Sequence, residues 1–112
     1  MDNLEEYAKE IHKITVEKGF WDGFHELEKF PFYAYKLAMI HSEVTEVLEA
    51  IRKSKGDDEV VEELVDVMIR VLDLYYGLKE TNEIGWGHSL DEVLNQKIEI
   101  NKHRPQKHGV RG

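Results

Sequence analysis

Two pairs of acidic residues, each spaced by three positions, are the side chains best suited to chemistry in this sequence. Glu43 and Glu46 form the first pair, and Glu63 and Asp66 form the second. Residues three apart on an α-helix lie on one face within reach of each other, so each pair could act as a two-carboxylate clamp. Four unpaired carboxylates would repel one another and raise their own pKa values unless a cation lay among them. Hard divalent cations prefer oxygen ligands, so the pattern predicts a site for Mg²⁺.

The same spacing is common on solvated helix faces, so the surrounding residues have to distinguish a metal site from an ordinary polar face. Between 35 and 53 the apolar residues form one arc of a helix, and Glu43 lies on the flank of that arc rather than opposite it. Between 58 and 78 apolar residues cover most of the helix circumference. The narrow polar stripe that remains consists of Glu62, Glu63, Asp66, Arg70 and Asp73. We expect this stripe to face a site or solvent, and Arg70 to pair with an acid of the same stripe rather than with a substrate.

The elements that must position these acids are all predicted to be helical. Helices are expected over about 3–18 and 32–54, then from a cap at Asp57 or Asp58 to about 79, and from a capping box at Ser89-x-x-Glu92 to about 101. The connection near Gly56 is short, which makes the second and third helices antiparallel neighbours. Counted outward from that turn, the two acidic pairs lie at similar heights along the helix axes. The predicted fold is therefore an all-α bundle of four main helices.

Composition limits what such a bundle can be. With 112 residues, 41% of them hydrophobic, and no long tract rich in Pro, Gly or Ser, the chain is predicted to be one domain over 1–112 with a basic tail from about 102. No apolar run could span a membrane, no signal peptide pattern is present, and the absence of cysteine is compatible with the cytoplasm. The net charge of −8 argues against nucleic acid as a partner. Residues 97–112 are nevertheless net +4, which leaves −12 on the remainder.

Four stretches of the sequence resemble the MazG-like all-α nucleoside triphosphate pyrophosphohydrolases. They are 18–22, 36–50, 62–74 and 97–109. The second stretch contains the signature Glu-x-x-Glu and the third contains Glu-x-x-Asp. The fourth, in the tail, has the pattern Lys-x-x-x-Asn-x-x-Arg-Pro. The resemblance covers most of the chain in the right order. It implies a Mg²⁺-dependent cut between the α- and β-phosphates of a nucleotide, giving a monophosphate and pyrophosphate.

The resemblance implies specific roles for the acids. Glu43, Glu46, Glu63 and Asp66 are expected to be both the catalytic residues and the ligands of Mg²⁺, for which Mn²⁺ could substitute. One of these four, or Asp73, would accept the proton of the attacking water. The sequence leaves open which acid does so and whether one or two ions bind.

The remaining predicted substrate contacts lie on the tail and in an aromatic connection. Lys97 and Asn101 are four apart on one helix face and would steady phosphate or sugar, and Arg104 could pair with a phosphate oxygen. Trp21 is the first candidate for stacking on a base, with Phe20 and His25 beside it. Asp73 completes the predicted substrate-binding set. The preferred base and sugar, and whether the role is cleaning or regulating a nucleotide pool, stay open.

Two other classes of function compete with the enzyme. A di-iron carboxylate bundle would need Glu-x-x-His motifs, and none occurs. A non-catalytic helical adaptor, or an antitoxin-like partner, would account for the wide apolar face without using the acids. Because the third helix is too apolar for one small chain to cover, we expect a homodimer or homotetramer.

Overall fold

The computed structural model describes residues 3–105, and within them the secondary structure is entirely helical. Helix α1 spans Leu4–Glu17, α2 Lys29–Arg52, α3 Asp57–Glu80 and α4 Leu90–Lys102, with a one-turn 3₁₀ helix at Glu26–Glu28 before α2. The four predicted helices and the all-α class are thus confirmed. The residues of the tail beyond 105, with part of its predicted basic charge, lie outside the described range.

Side-chain caps explain where α1 and α4 begin. The Asn3 side chain accepts a hydrogen bond from the Glu6 amide at 2.9 Å and caps α1. Ser89 and Glu92 form the expected capping box at α4. The start of α2 was predicted at 32 but lies at Lys29. Pro31 falls in the first helical turn, where its missing N–H has no intrahelical partner to lose, so the helix runs through it.

The second connection is the tight turn that the antiparallel arrangement needs. The cap of α3 was predicted at Asp57 or Asp58, but the helix begins at Asp57 and Gly56 is the residue before it, with no side-chain cap. Gly56 has φ of +102°, a conformation that favours glycine, and Ser54 is also left-handed with φ of +54°. Helix α2 therefore reverses directly into α3, and the two pack along their lengths. Helix α1 packs on α3 as well, which makes α3 the central element.

The core lies where α1 meets the C-terminal half of α3. Ala8, Leu72 and Tyr76 are buried together there, with Ile11 and Tyr75 packed against them. Toward the N-terminal half of α3 the apolar side chains are much less covered, and Val61, Leu64 and Met68 are about half exposed. None of the described helices is long and apolar enough to cross a membrane.

Helix α4 is attached through its N-terminus. Asp91 accepts hydrogen bonds from the amides of Leu4 and Glu5 at 2.9 and 3.0 Å, and Glu5 in turn accepts from the Leu90 amide at 2.7 Å. Each helix thus caps the other with an acid of its own first turn, and the bonds from the two α1 amides hold the pKa of Asp91 below its ordinary value. The buried Lys79 ammonium lies 3.1 Å from Glu5 and neutralises it. Within the described residues, the contacts of α4 are with α1, except that Leu90 at its start packs against the core cluster, which includes Leu72 and Tyr76 of α3.

Candidate metal and phosphate site

Three of the four predicted metal ligands come together on the facing sides of α2 and α3. One carboxylate oxygen from each of Glu43, Glu63 and Asp66 lies within 4.8 Å of the other two. Glu43 and Glu63 are partly buried, and Asp66 is exposed. Glu46 is exposed and is not part of this three-oxygen group, although its charge helps to raise the pKa of Glu63.

The electrostatics of the cluster favour a cation. Partial burial raises the pKa of Glu63, and the neighbouring charges of Asp66, Glu46 and Glu43 raise it further. Opposite oxygens of an octahedral Mg²⁺ site are about 4.2 Å apart, so small rotations of the side chains would bring a 4.8 Å group into range. Hard carboxylate oxygens that repel one another and can close around a common point fit a Mg²⁺ or Mn²⁺ ion.

A cation of the protein itself already touches this cluster. The Nε atom of Arg70 donates to Oε2 of Glu43 at 2.8 Å, across the interface between α3 and α2. The expectation that Arg70 pairs with an acid of its own helix was therefore wrong. The expected partners were Glu63, Asp66 or Asp73 of α3, but the packing of α2 on α3 places the Glu43 carboxylate in front of the guanidinium.

A cleft of about 250 Å³ extends from the cluster toward α1. Glu43, Asp66 and Arg70 line one end of it, and Lys36 and Asp73 line the other. Their spacing follows from the antiparallel pairing, because Lys36 precedes Glu43 by seven residues on α2 and Asp73 follows Asp66 by seven on α3. Seven residues of helix span about 10.5 Å, so the cleft is long enough for a phosphate chain and part of a nucleoside.

Asp73 is held by a buried network that sequence reasoning missed. It is 7% exposed and accepts hydrogen bonds from Nδ1 of His12 at 2.8 Å, from the Thr15 hydroxyl at 2.6 Å and from the Trp21 indole N–H at 3.0 Å. Burial alone would raise the pKa of Asp73, but these donors outweigh it and hold the pKa below its ordinary value. The signal in the sequence is that His12 and Thr15 lie three apart on α1, which places both on one face.

Lys36 is the second residue that the sequence analysis left out. Its side chain is buried, its Nζ donates to the Phe20 carbonyl at 2.8 Å, and the Asp73 carboxylate is 3.9 Å away. Burial lowers the pKa of Lys36, while the charge of Asp73 partly counters that effect. A lysine inside an otherwise apolar stretch of α2 was the available sign that a buried acid would face it.

The aromatic candidates differ in how accessible they are. Trp21 is partly buried, with Lys36 Nζ 4.5 Å from its ring centroid, and a Cβ added at Gly77 would overlap its ring carbons. Phe20 lines the cleft and is 62% exposed, so its ring is free to meet a ligand. His25 is also exposed. Trp21 thus has the contacts of a packed side chain, and its stacking on a base stays a prediction.

The predicted phosphate contacts of the tail are elsewhere. Lys97, Asn101 and Arg104 are all exposed, and the first two lie on α4. Apart from Leu90 at its start, α4 contacts only α1 among the described helices, so the structure does not bring these three side chains to the acids of α2 and α3 within one chain.

These features define an all-helical protein that gathers carboxylates on two antiparallel helices beside a cleft. Residues 34–105 match the family model of the MazG nucleotide pyrophosphohydrolase domain. Because the match covers more than half of the 112 residues, the chain belongs to that family, as the motif resemblance predicted. No curated protein and no solved structure matches the chain. The matched range contains both acidic pairs, whereas His12, Thr15 and Trp21 precede it.

Proposed function

We propose that this protein is a Mg²⁺-dependent nucleoside triphosphate pyrophosphohydrolase that cuts between the α- and β-phosphates. The observation that carries the proposal is the approach of three carboxylate oxygens within 4.8 Å, from two helices, at the end of a cleft. Membership of the nucleotide pyrophosphohydrolase family supports the same reaction class. An acidic site of this kind could accept a triphosphate only together with cations.

In this proposal Glu43, Glu63 and Asp66 hold Mg²⁺, and Glu46 would join them by rotating toward the cluster. The ion would neutralise phosphate charge and lower the pKa of an attacking water. Asp73 is a poor proton acceptor, because donors already occupy its oxygens and its pKa is depressed. The base is therefore sought among the four acids of the cluster.

The other end of the cleft is proposed to take the nucleoside. The exposed Phe20 ring would stack on the base, which is compatible with any base and leaves the base preference undefined. Lys97, Asn101 and Arg104 stay proposed phosphate or sugar contacts, and a second copy of the chain would have to supply them if α4 keeps its observed place. A substrate of this kind is consistent with a cytoplasmic location.

Self-association is proposed from the uncovered apolar surface of the two site helices. The side chains between 42% and 58% exposed include Val44, Leu48 and Ile51 of α2 and Val61, Leu64, Val65 and Met68 of α3. Monomers rarely leave so much contiguous apolar surface in water, so a homodimer or homotetramer is expected. Sedimentation should give a mass of at least two chains, and a monomer near 13.2 kDa at micromolar concentration would contradict this.

The reaction is tested with a panel of nucleoside triphosphates in the presence of Mg²⁺. At least one should yield pyrophosphate and a monophosphate, and release of orthophosphate with a diphosphate would refute the α–β cut. Asp66→Asn and Glu46→Gln should each lower the rate by a factor on the order of 10² or more if they misplace the ion. The matched control is Asp58→Asn, an exposed acid at the start of α3 outside the three-oxygen group, which should keep wild-type activity.

The apolar surface also suits the alternative of a non-catalytic adaptor or antitoxin-like partner. An adaptor has no use for the carboxylate cluster. It should release no pyrophosphate from any nucleotide, and its melting temperature should not respond to Mg²⁺ beyond the effect of ionic strength.

A further inference from the structure

Arg70 lines the cleft and leaves most of its hydrogen-bonding capacity unused. Its Nε is engaged by Glu43 at 2.8 Å, and its side chain is 38% exposed. Among residues 3–105, neither of its two amino groups has a hydrogen-bond partner. A guanidinium carries five N–H donors in a rigid plane, so four donors remain unused, and the edge formed by the two amino groups does not take part in the bond to Glu43.

The anchor on Glu43 gives those donors a defined place. Glu43 also contributes an oxygen to the three-carboxylate group, so one side chain joins Arg70 to the candidate metal site. The guanidinium is therefore held beside the cluster, on the wall of the cleft that also contains Asp66. A planar fork with its Nε tethered and its amino groups free matches two oxygens of one phosphate group.

A purely structural role does not use this arrangement. A single, partly exposed ion pair between α2 and α3 contributes little to stability. Lysine would serve such a pair as well as arginine, because only one donor is engaged. The unused amino groups, the cleft and the adjacent carboxylates together indicate an anionic ligand that arrives with a cation.

We propose that Arg70 is a substrate-binding residue that holds the phosphate chain of the nucleotide through its two amino groups. This inference rests on the proposed function and deepens it by assigning the group that would meet the phosphates within one chain. It also gives Glu43 two tasks, as a ligand through one part of its carboxylate and as the positioning residue of Arg70 through Oε2.

The experiment compares Arg70→Lys with Arg52→Lys by calorimetric titration of inorganic pyrophosphate in the presence of Mg²⁺. Arg52 is the matched control, since it is an exposed arginine of α2 that pairs with Glu49 of its own helix. Arg70→Lys keeps the positive charge but loses the fork, so the dissociation constant for pyrophosphate should rise at least tenfold. Arg52→Lys should change it less than twofold.

Metal binding without phosphate separates a substrate contact from an indirect effect. The rise in melting temperature with Mn²⁺ alone should be the same in Arg70→Lys as in the wild type. If the variant loses the Mn²⁺ response together with pyrophosphate binding, Arg70 acts through Glu43 and the proposal is overturned. Equal pyrophosphate affinity in Arg70→Lys and Arg52→Lys also overturns it, as does a wild-type protein that binds no pyrophosphate. Should Arg70→Lys unfold, Arg70→Gln takes its place with the same expected results.

The two proposals fail separately. A wild-type protein that hydrolyses no nucleoside triphosphate, yet binds pyrophosphate in a manner that needs Arg70, would refute the enzymatic function and retain the phosphate site. Hydrolysis that proceeds with unchanged pyrophosphate affinity in Arg70→Lys would retain the enzyme and refute the role of Arg70.

Discussion

Replacing Asp73 by asparagine should destabilise this protein far more than the same change at Asp66. The two acids lie seven residues apart on the same face of α3, so helix position and chemistry are matched. Asp73 is 7% exposed and accepts three hydrogen-bond donors, whereas Asp66 is exposed. Asparagine has nearly the volume of aspartate, so the comparison isolates charge and hydrogen bonding from packing.

The size of the destabilisation follows from the buried groups that the amide would leave without their partner. The ammonium of Lys36, 3.9 Å from Asp73, would lose the negative charge nearest to it in a buried position. Removing one partner of a buried ion pair typically costs about 3–5 kcal/mol. In addition, the amide N–H₂ would replace one of the two acceptor oxygens, and it would face the Trp21 indole N–H at either place and the Thr15 hydroxyl as well if it replaced Oδ1. We therefore expect Asp73→Asn to lower the free energy of unfolding by at least 3 kcal/mol, about the lower end of that range.

The assay is urea unfolding of the metal-free protein, followed by helical circular dichroism, at one fixed protein concentration because self-association would shift the midpoint. At about 4 °C or more of melting temperature per kcal/mol, Asp73→Asn should also melt on the order of 12 °C lower. Asp66→Asn should be unchanged or slightly more stable, since it removes one charge from a repelling cluster. If Asp73→Asn lies within about 1 kcal/mol of the wild type, an ordinary surface effect, the network does not hold α1 to α3 and the reasoning is refuted.

Three further predictions follow from the same contacts. Because hydrogen-bond donors lower the pKa of Asp73 in the folded protein, the unfolded chain binds a proton at this residue more readily than the folded protein does. The stability that Asp73 contributes is therefore present above about pH 4 and lost as the pH falls. Below that pH, the free energy of unfolding should fall less steeply with pH in Asp73→Asn than in the wild type. Gly77→Ala would drive a methyl group into the Trp21 ring and should cost about 1–3 kcal/mol, whereas Gly85→Ala, with no heavy atom near its added Cβ, should not; equal unfolding midpoints would contradict the contact. Mg²⁺ or Mn²⁺ at a hundred times its dissociation constant should stabilise the protein by about 2.7 kcal/mol, and an equal effect of NaCl at matched ionic strength would indicate charge screening instead.

Much of the helical framework could be predicted from the sequence because its signals are local. Capping at Ser89, the tight turn at Gly56 and the apolar periodicity of α3 act within a few residues of each other. The two acidic pairs were predicted to converge for the same reason, since a short turn between two helices fixes their relative height. The structure brings three of those four acids together and leaves Glu46 outside the group.

The partners of individual side chains could not be predicted, because they depend on how distant helices dock. Arg70 has acids near it on its own helix, yet the one it contacts is Glu43 of α2. Helix α4 has an amphipathic pattern that does not say which neighbour it packs against. Its position is set by the exchange of caps between Asp91 and the start of α1, a contact between residues 86 and 87 positions apart.

The polar stripe of α3 shows how one residue type serves two opposite purposes in the same element. Partial burial and then neighbouring charges raise the pKa of Glu63 at one end, while hydrogen-bond donors hold the pKa of Asp73 below its ordinary value at the other. The first end therefore costs stability in the absence of a cation, and the second supplies stability without one. Since Asp73 joins α3 to α1 and to the 18–24 connection through Trp21, the network it anchors can hold the site helix in place while the cluster remains unsatisfied. The network therefore offsets the repulsion within the cluster from about two helical turns away on the same face of α3.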